Sequence, residues 1–357
     1  MTLSIILGTR PEIIKMSPVI RECERLGLDY FIFHTGQHYS YNMDRVFFEQ
    51  LGLPKPKYNL DIGSGMHGEQ TGKMLAGIEK VLMEEKPDVV LVQGDTNTAL
   101  AGALAAAKLH IKVGHVEAGL RSFDRRMPEE INRVLADHTC DYLFAPTERS
   151  KELLLKEGIN DDKIFVTGNT IVDAVFQNLK LAKSDVLKQM GLKEKEYILV
   201  TAHREENVDN PEYFRGIIRG IEMVSKELDM PAIYPIHPRS RKMMEKFGFS
   251  VNGSIKLIEP VDYLNFLKLE AGAKLVLTDS GGVQEEACIL GVPCVTLRDN
   301  TERPETIEAG ANMLSGIESD KIVESARSML LKDNCWKNPF GDGKAARRIG
   351  KVVKMGS

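Results

Sequence analysis

The groups able to do chemistry in this chain cluster immediately after short apolar runs. In order they are Gly8-Thr9-Arg10, His34-Thr35-Gly36-Gln37-His38, Gln93-Gly94-Asp95-Thr96, His115-Val116-Glu117, His203-Arg204-Glu205 and Asp279-Ser280-Gly281-Gly282. Asp95, Glu117 and the adjacent pair Glu129-Glu130 are carboxylates suited to moving a proton on and off a substrate. Ser280-Gly281-Gly282 opens a helix-like segment, where bare backbone N–H groups and a hydroxyl can meet a diphosphate, with Glu286 one turn further in for ribose hydroxyls. Two Arg-Pro-Glu turns, Arg10-Pro11-Glu12 and Arg303-Pro304-Glu305, place an arginine beside a helix start and imply two phosphate-facing helix ends. Each residue also has a plainer role: Asp95 as an N-cap, Glu129 and Glu130 as complements to a helix dipole, His203 as a turn histidine.

The runs that precede these residues are five or six residues long, apolar without alternation, and separated by helical patterns. Leu3-Leu7, Tyr30-Phe33, Val89-Gln93, Val113-Glu117, Tyr142-Ala145 and Ile164-Thr167 form one series. Tyr197-Ala202, Ala232-Ile236, Ile255-Ile258, Leu275-Thr278 and Cys294-Leu297 form a second. Such runs specify parallel strands covered on both faces. The expected fold class is therefore α/β with two doubly wound lobes, split near Gly168-Asn169, in which ligands bind beyond the carboxyl ends of the strands.

Composition removes other classes. With 43% hydrophobic and 27% charged residues, the 357-residue chain has the make-up of a globular protein with about two cores, and its net charge of −4 is wrong for a nucleic-acid binder. The five cysteines are scattered and lack a metal-site spacing. The N-terminal apolar stretch is too short for a signal peptide or a membrane span, so a cytoplasmic location without membrane contact is expected. His34 and His38 have no partner that would complete a metal set, so no metal is assigned. Gly63-Ser64-Gly65-Met66-His67-Gly68 fits the dinucleotide pattern but lacks the buried strand that must precede it, so no nicotinamide cofactor is assigned either.

Taken together, the motifs resemble the non-hydrolysing UDP-N-acetylglucosamine 2-epimerases. The matching blocks are Gly8 to Glu12 with Lys15, Gln93 to Thr96, His115 to Arg121, Pro128 to Arg133, His203 to Asn207, Asp279 to Glu286, and Arg298 to Glu305. The resemblance implies a GT-B architecture of two Rossmann-like domains with a cleft between them: residues 1–168, with a final helix at about 343–357 packing back on them, and residues 169–342, which bind UDP. It also implies a homodimer that interconverts UDP-GlcNAc and UDP-ManNAc without a cofactor, supplying ManNAc-type sugars for surface polysaccharide or glycan synthesis. In the implied route UDP leaves by anti elimination to give 2-acetamidoglucal and then adds back.

By the same resemblance Asp95, Glu117 and Glu129 are the catalytic acids, with Glu130 the alternative to Glu129 at one residue's offset. His203 acts with them on the phosphate or leaving group. Arg10, Ser280, Gly281, Gly282 and Arg303 hold UDP, Glu286 meets the ribose, and Lys15 lies near the phosphates or the sugar. Gln37 and His38 match part of a second, regulatory site of bacterial relatives, although the residues that follow depart from that pattern. The rival readings are a hydrolysing epimerase, a glycosyltransferase with the same UDP grip, and a non-catalytic nucleotide-sugar sensor. Carboxylates beside a diphosphate weaken binding, which argues against the sensor.

Overall fold

A computed structural model describes residues 1–37 and 41–355. The chain forms two compact units, Met1–Gln177 with Phe340–Ser357, and Asn178–Pro339. In the first, seven strands, β1 (Thr2–Leu7), β2 (Asp29–His34), β3 (Tyr58–Asn59), β4 (Val89–Gln93), β5 (Lys112–Val116), β6 (Tyr142–Ala145) and β7 (Ile164–Val166), build one sheet. Their order is β3-β2-β1-β4-β5-β6-β7 and every pairing is parallel. The second unit holds β8 (Ile198–Thr201), β9 (Ala232–Pro235), β10 (Ile255–Ile258), β11 (Leu275–Thr278), β12 (Cys294–Thr296) and β13 (Asn312–Leu314). These run β10-β9-β8-β11-β12-β13, again all parallel.

Helices cover both faces of each sheet, which is why the strands read as unbroken apolar runs. In β1, Leu3, Ile5, Ile6 and Leu7 are all fully buried, worth about 1.5–3 kcal/mol apiece in transfer free energy. The alanine-rich helix Asn97–Lys108 packs Ala99, Ala103 and Ala106 into the same cluster as Ile6, Val90 and Val92. The last helix, Ala345–Met355, belongs to the first unit: the Asp173 carboxylate accepts from the Ala345 and Ala346 N–H groups at 3.0 and 3.1 Å, satisfying donors at the helix start. The glycine-rich segment from Gly63 follows β3, a two-residue edge strand, and its last residues already belong to the helix His67–Glu85. It is not a dinucleotide-binding turn. Among the described residues no helix is long and apolar enough to cross a membrane.

A buried charge cluster fixes the end of β5. His115 is fully buried; its Nδ1 lies 2.7 Å from Asp137 Oδ1 and its Nε2 lies 2.7 Å from the Gly94 carbonyl. Asp137 Oδ2 meanwhile accepts from the Gly119 N–H and pairs with Arg121 at 2.7 Å. Asp137 is thus ionised, both imidazole nitrogens must donate, and His115 is an imidazolium. Burial alone would lower its pKa, but Asp137 and the Gly94 carbonyl outweigh burial and hold it above the ordinary value. Asp137 sits below its ordinary value because His115 and Arg121 outweigh its own burial. Gly119, at φ +81°, has no substitute: a Cβ there would lie 2.5 Å from the Ser150 carbonyl oxygen.

This cluster makes stability depend on pH in a defined direction. A histidine whose folded pKa is raised contributes fully below its unfolded value of 6.5 and loses that contribution as pH rises through the folded value. Asp137 works in the opposite sense, contributing above 3.8 and losing its part as pH falls through the lowered value. His115→Gln should therefore cost about 3 kcal/mol near neutral pH or just below it. The gap to wild type should narrow steadily toward alkaline pH in urea unfolding of the whole chain. A gap that does not change with pH would exclude the charged histidine.

Candidate active site

In both sheets the strand order reverses once, between β1 and β4 in the first unit and between β8 and β11 in the second. Crevices at such points are where open α/β sheets take ligands. Residues singled out in the sequence stand at both: Gly8-Thr9-Arg10 after β1 and Gly94-Asp95 after β4, then His203-Arg204 after β8 and Asp279-Ser280-Gly281 after β11.

The first unit gathers carboxylates. Glu117 follows β5, is 8% exposed, and has a left-handed backbone at φ +72°, a strained conformation for a residue with a Cβ. Lys15, from the helix Arg10–Leu26, reaches both of its oxygens at 2.7 and 2.8 Å. The side-chain amides of Gln93 and Asn169 also donate to it. Asp95 is not the cap of the helix Asn97–Lys108; Thr96 takes that place, its hydroxyl accepting from the Ala99 N–H. The Asp95 carboxylate instead pairs with Arg133, and its carbonyl accepts from Asn132 at 2.9 Å. Both partners come from the helix Pro128–Thr139.

On that helix the two adjacent glutamates differ. Glu130 is buried and accepts from the Ser122 N–H, the Ser122 hydroxyl and the Phe123 N–H, each at 2.9 Å, and from Arg133 at 3.0 Å. Burial pushes its pKa up, but these donors more than offset that and hold it below the ordinary range. It anchors the loop that precedes the helix. Glu129 is exposed.

Arg10 lies with its guanidinium 5.0 Å from the Phe47 ring centre. Glu12, from the same turn, folds back to accept from the Gly8 N–H and the Thr9 and Thr96 hydroxyls at 2.7–2.9 Å. Complete burial nevertheless pushes it up to about 7. Gln37 is buried, its side-chain oxygen accepting from the Thr98 N–H and hydroxyl and its carbonyl from Gln70. His38 lies outside the described residues.

The second unit gathers donors around Asp279, which is fully buried. One of its oxygens accepts from the backbone N–H groups of His203 and Arg204 at 2.8 and 2.9 Å and from the Asn207 amide at 3.2 Å; the other lies 3.3 Å from His203 Nδ1. Burial would raise the Asp279 pKa, but His203 and these donors bring it below its ordinary value. With Nδ1 turned to Asp279, the His203 ring, 39% exposed, offers Nε2 outward.

Ser280 is the N-cap of the helix Gly281–Leu290, and its hydroxyl makes no capping bond. The first N–H groups of any helix lack intrahelical partners. A Cβ on Gly282 would meet nothing nearer than Ser280 Oγ at 4.0 Å, so packing does not demand glycine there. Arg303 pairs with Glu285 at 2.8 Å, and Tyr263 donates to Glu286 at 3.1 Å. The helix that starts at Pro304 ends at Glu308. Of the two Arg-Pro-Glu turns, only the first opens a long helix, and Arg303 has its side chain rather than a helix dipole to offer.

Several residues that shape these sets were visible in the sequence only as parts of motifs, namely Asp279, Arg133, Glu12 and His115, and Asp137 lay outside every motif. The Thr9-x-x-Glu12 spacing was the one local signal, since it is that of a capping box. Among the described residues no group of three or more His, Cys, Asp or Glu side chains could hold a metal ion.

Comparison with known proteins identifies the family. Residues 21–354 match the family described as UDP-N-acetylglucosamine 2-epimerase. A Methanocaldococcus jannaschii protein named UDP-N-acetylglucosamine 2-epimerase is 60% identical over 364 residues, covering 100% of each chain. A Pseudomonas aeruginosa protein named UDP-2,3-diacetamido-2,3-dideoxy-D-glucuronate 2-epimerase is 45% identical over 360 residues, 99% of each. The crystal structure of the Methanocaldococcus jannaschii UDP-GlcNAc 2-epimerase in complex with UDP-GlcNAc and UDP is similar at a TM-score of 0.88 and 61% identity, covering 99% of this chain and 100% of that one. The two Rossmann-like sheets are those of a GT-B fold, and the chain belongs to the UDP-N-acetylglucosamine 2-epimerase family.

Proposed function

We propose that this epimerase interconverts UDP-GlcNAc and UDP-ManNAc by anti elimination of UDP, giving 2-acetamidoglucal, followed by re-addition to the opposite configuration at C2. The C2 hydrogen is not next to a carbonyl. It becomes acidic only as the bond from C1 to the diphosphate oxygen lengthens and positive charge builds on the ring, so stabilising the departing diphosphate is the larger share of catalysis. That task falls to the second unit: Ser280, Gly281 and Gly282 at a helix start, Arg303, and His203 with Nε2 turned outward, while Glu286 accepts from the ribose. Arg10 adds a cation from the first unit.

Proton exchange falls to Asp95, Glu117 and Glu129. The observation that carries this reading is Glu117: a buried carboxylate on strained backbone, held by Lys15 at the end of a central parallel strand. The Lys15 ammonium offsets the repulsion that a carboxylate there would otherwise exert on a diphosphate ligand. Inversion needs a proton removed on one face of the ring and delivered on the other, which more than one acid arranges most simply. Glu129 is favoured over Glu130, whose oxygens are already committed to the loop from Ser122. We extend the proposal to a cytoplasmic homodimer feeding ManNAc-type sugars into glycan synthesis. On the sequence pattern alone we also propose that Gln37 and His38 serve a second nucleotide-sugar site.

The deciding experiment is incubation of UDP-GlcNAc with the enzyme in heavy water. Deuterium should enter C2 of both epimers while the UDP-sugar stays intact. Free N-acetylmannosamine building up alongside UDP would instead establish a hydrolysing enzyme. Turnover confined to UDP-2,3-diacetamido sugars would reassign the substrate while leaving the C2 chemistry in place.

Asp95→Asn, Glu117→Gln and Glu129→Gln should each lower kcat by about 10²–10⁴ with UDP affinity retained, measured by coupled assay and calorimetry. Glu130→Gln should reduce stability more than it reduces kcat, and the reverse pattern would exchange the two glutamates. Arg303→Ala should weaken UDP binding about tenfold or more. A Kd equal to wild type in a folded variant would remove Arg303 from the diphosphate site.

A further inference from the structure

The glutamate of the first Arg-Pro-Glu turn has no task in the proposed chemistry. Glu12 stands three residues after Thr9, the cap of the helix Arg10–Leu26, where a capping-box glutamate ordinarily reaches back to its own helix start. Glu12 is 1% exposed and reaches further. Its Oε2 accepts from the Gly8 N–H at 2.9 Å and the Thr9 hydroxyl at 2.8 Å, while its Oε1 accepts from the Thr96 hydroxyl at 2.7 Å. Thr96 lies 84 residues along the chain and belongs to the turn after β4. One carboxyl therefore joins the turn after β1 to the turn after β4, across the point where the strand order of the first sheet reverses.

The bond to Thr96 has a fixed direction. The Thr96 oxygen accepts from the Ala99 N–H at 3.1 Å as the cap of the helix Asn97–Lys108, and its single proton goes to Glu12. Asp95 comes immediately before Thr96, with its carboxylate on Arg133 and its carbonyl on Asn132. The residue ahead of it is tied down as well, by His115 at the Gly94 carbonyl. Glu12 holds the other side, where the backbone of Asp95 runs into the helix. Burial pushes Glu12 up to about 7 in spite of its donors, so an acid at this place costs free energy that an uncharged local cap would not.

We propose that Glu12 is a positioning residue for the proton transfer assigned to Asp95: by bridging Gly8 and Thr9 to Thr96, it sets where the Asp95 carboxylate stands. The inference rests on the reading that Asp95 exchanges a proton with the substrate, and goes beyond it by naming what holds that acid in place. Glu12→Met fills a similar volume and leaves the donors of Gly8, Thr9 and Thr96 unanswered. Glu12→Gln keeps an oxygen for the first two and can turn its amide N–H to the second lone pair of the Thr96 hydroxyl.

A double-mutant cycle on kcat of the full chain tests this, read at saturating UDP-GlcNAc so that weaker binding through Arg10 does not enter. Glu12→Met should lower kcat about tenfold to hundredfold in the wild-type background. In the Asp95→Asn background, where no carboxylate is left to position, the same change should cost no more than about twofold. Glu12→Gln should keep kcat within about twofold of wild type. Thr96→Val removes the other end of the bridge; it should repeat the pattern and stands in if Glu12→Met does not fold. A loss of equal factor in both backgrounds would make the bridge merely structural and overturn the proposal, as would a Glu12→Gln variant no better than Glu12→Met. Asp95→Asn alone is the control for the underlying reading: if it turns over like wild type, Asp95 exchanges no proton and the role of Glu12 falls with it. If it lowers kcat while Glu12→Met costs the same in both backgrounds, only the role of Glu12 fails.

Discussion

Lys15 and Glu117 meet at 2.7 and 2.8 Å with side chains 13% and 5% exposed, and much else in the first unit follows from that contact. An ion pair so poorly hydrated is worth forming only when the geometry is good and the remaining lone pairs are filled. Gln93 and Asn169 fill them. The arrangement needs the turn after β5 to present Glu117 at φ +72°, and that turn is clamped from both sides. The His115 imidazolium ties β5 to the Gly94 carbonyl, and Asp137 ties it to Gly119. A carboxylate held by a lysine and two amides on a clamped turn has little freedom left to lose.

The same accounting of donors sorts the other buried acids. Asp137 receives the Gly119 N–H, a histidine and Arg121, Asp279 receives two backbone N–H groups and a histidine, and both lie below the ordinary carboxylate range. Glu130, with two backbone N–H groups, a hydroxyl and Arg133, does the same. Glu12 has an N–H and two hydroxyls but no cation, and burial pushes it up to about 7. Glu270, with burial and Glu286 acting in the same direction, is pushed well above the ordinary carboxylate range. Charge state follows the number and charge of the donors, with depth of burial as the common opposing term.

The strands were legible because parallel strands buried on both faces leave an apolar run that local composition reveals. Val89–Gln93, Tyr142–Ala145, Ile255–Ile258 and Leu275–Thr278 coincide with their runs residue for residue. The two strands left unread, Tyr58–Asn59 and Asn312–Leu314, lie at sheet edges and are two and three residues long, too short to carry a pattern. Positions after strands were legible too, since open parallel sheets take ligands beyond the carboxyl ends of their strands, and a strand's end can be read without knowing its place in the sheet. What could not be read was pairing. Lys15 and Glu117 are 102 residues apart, Asp95 and Arg133 are 38 apart, and His203 and Asp279 are 76 apart. Nothing local connects them until the sheet order brings them together. The choice between Glu129 and Glu130 had the same character, because it turns on whether the Ser122 loop folds back onto the helix start.

The two Arg-Pro-Glu turns show how far a shared motif constrains physics. The first opens a 17-residue helix, yet Glu12 turns back onto the Gly8 N–H and occupies a donor that an incoming anion would otherwise use. The second opens a helix of five residues, too short to build much of a dipole, while Arg303 is drawn to Glu285. The 10-residue helix that starts at Gly281 has neither limitation. Its cap hydroxyl makes no capping bond, its first residues are glycines with room above them, and Asp279 holds the preceding turn rigid from below. Under the proposed chemistry the diphosphate is therefore recognised chiefly by backbone N–H groups at Gly281 and Gly282. The arginines of the two repeated motifs then supply charge to a geometry that the third turn defines.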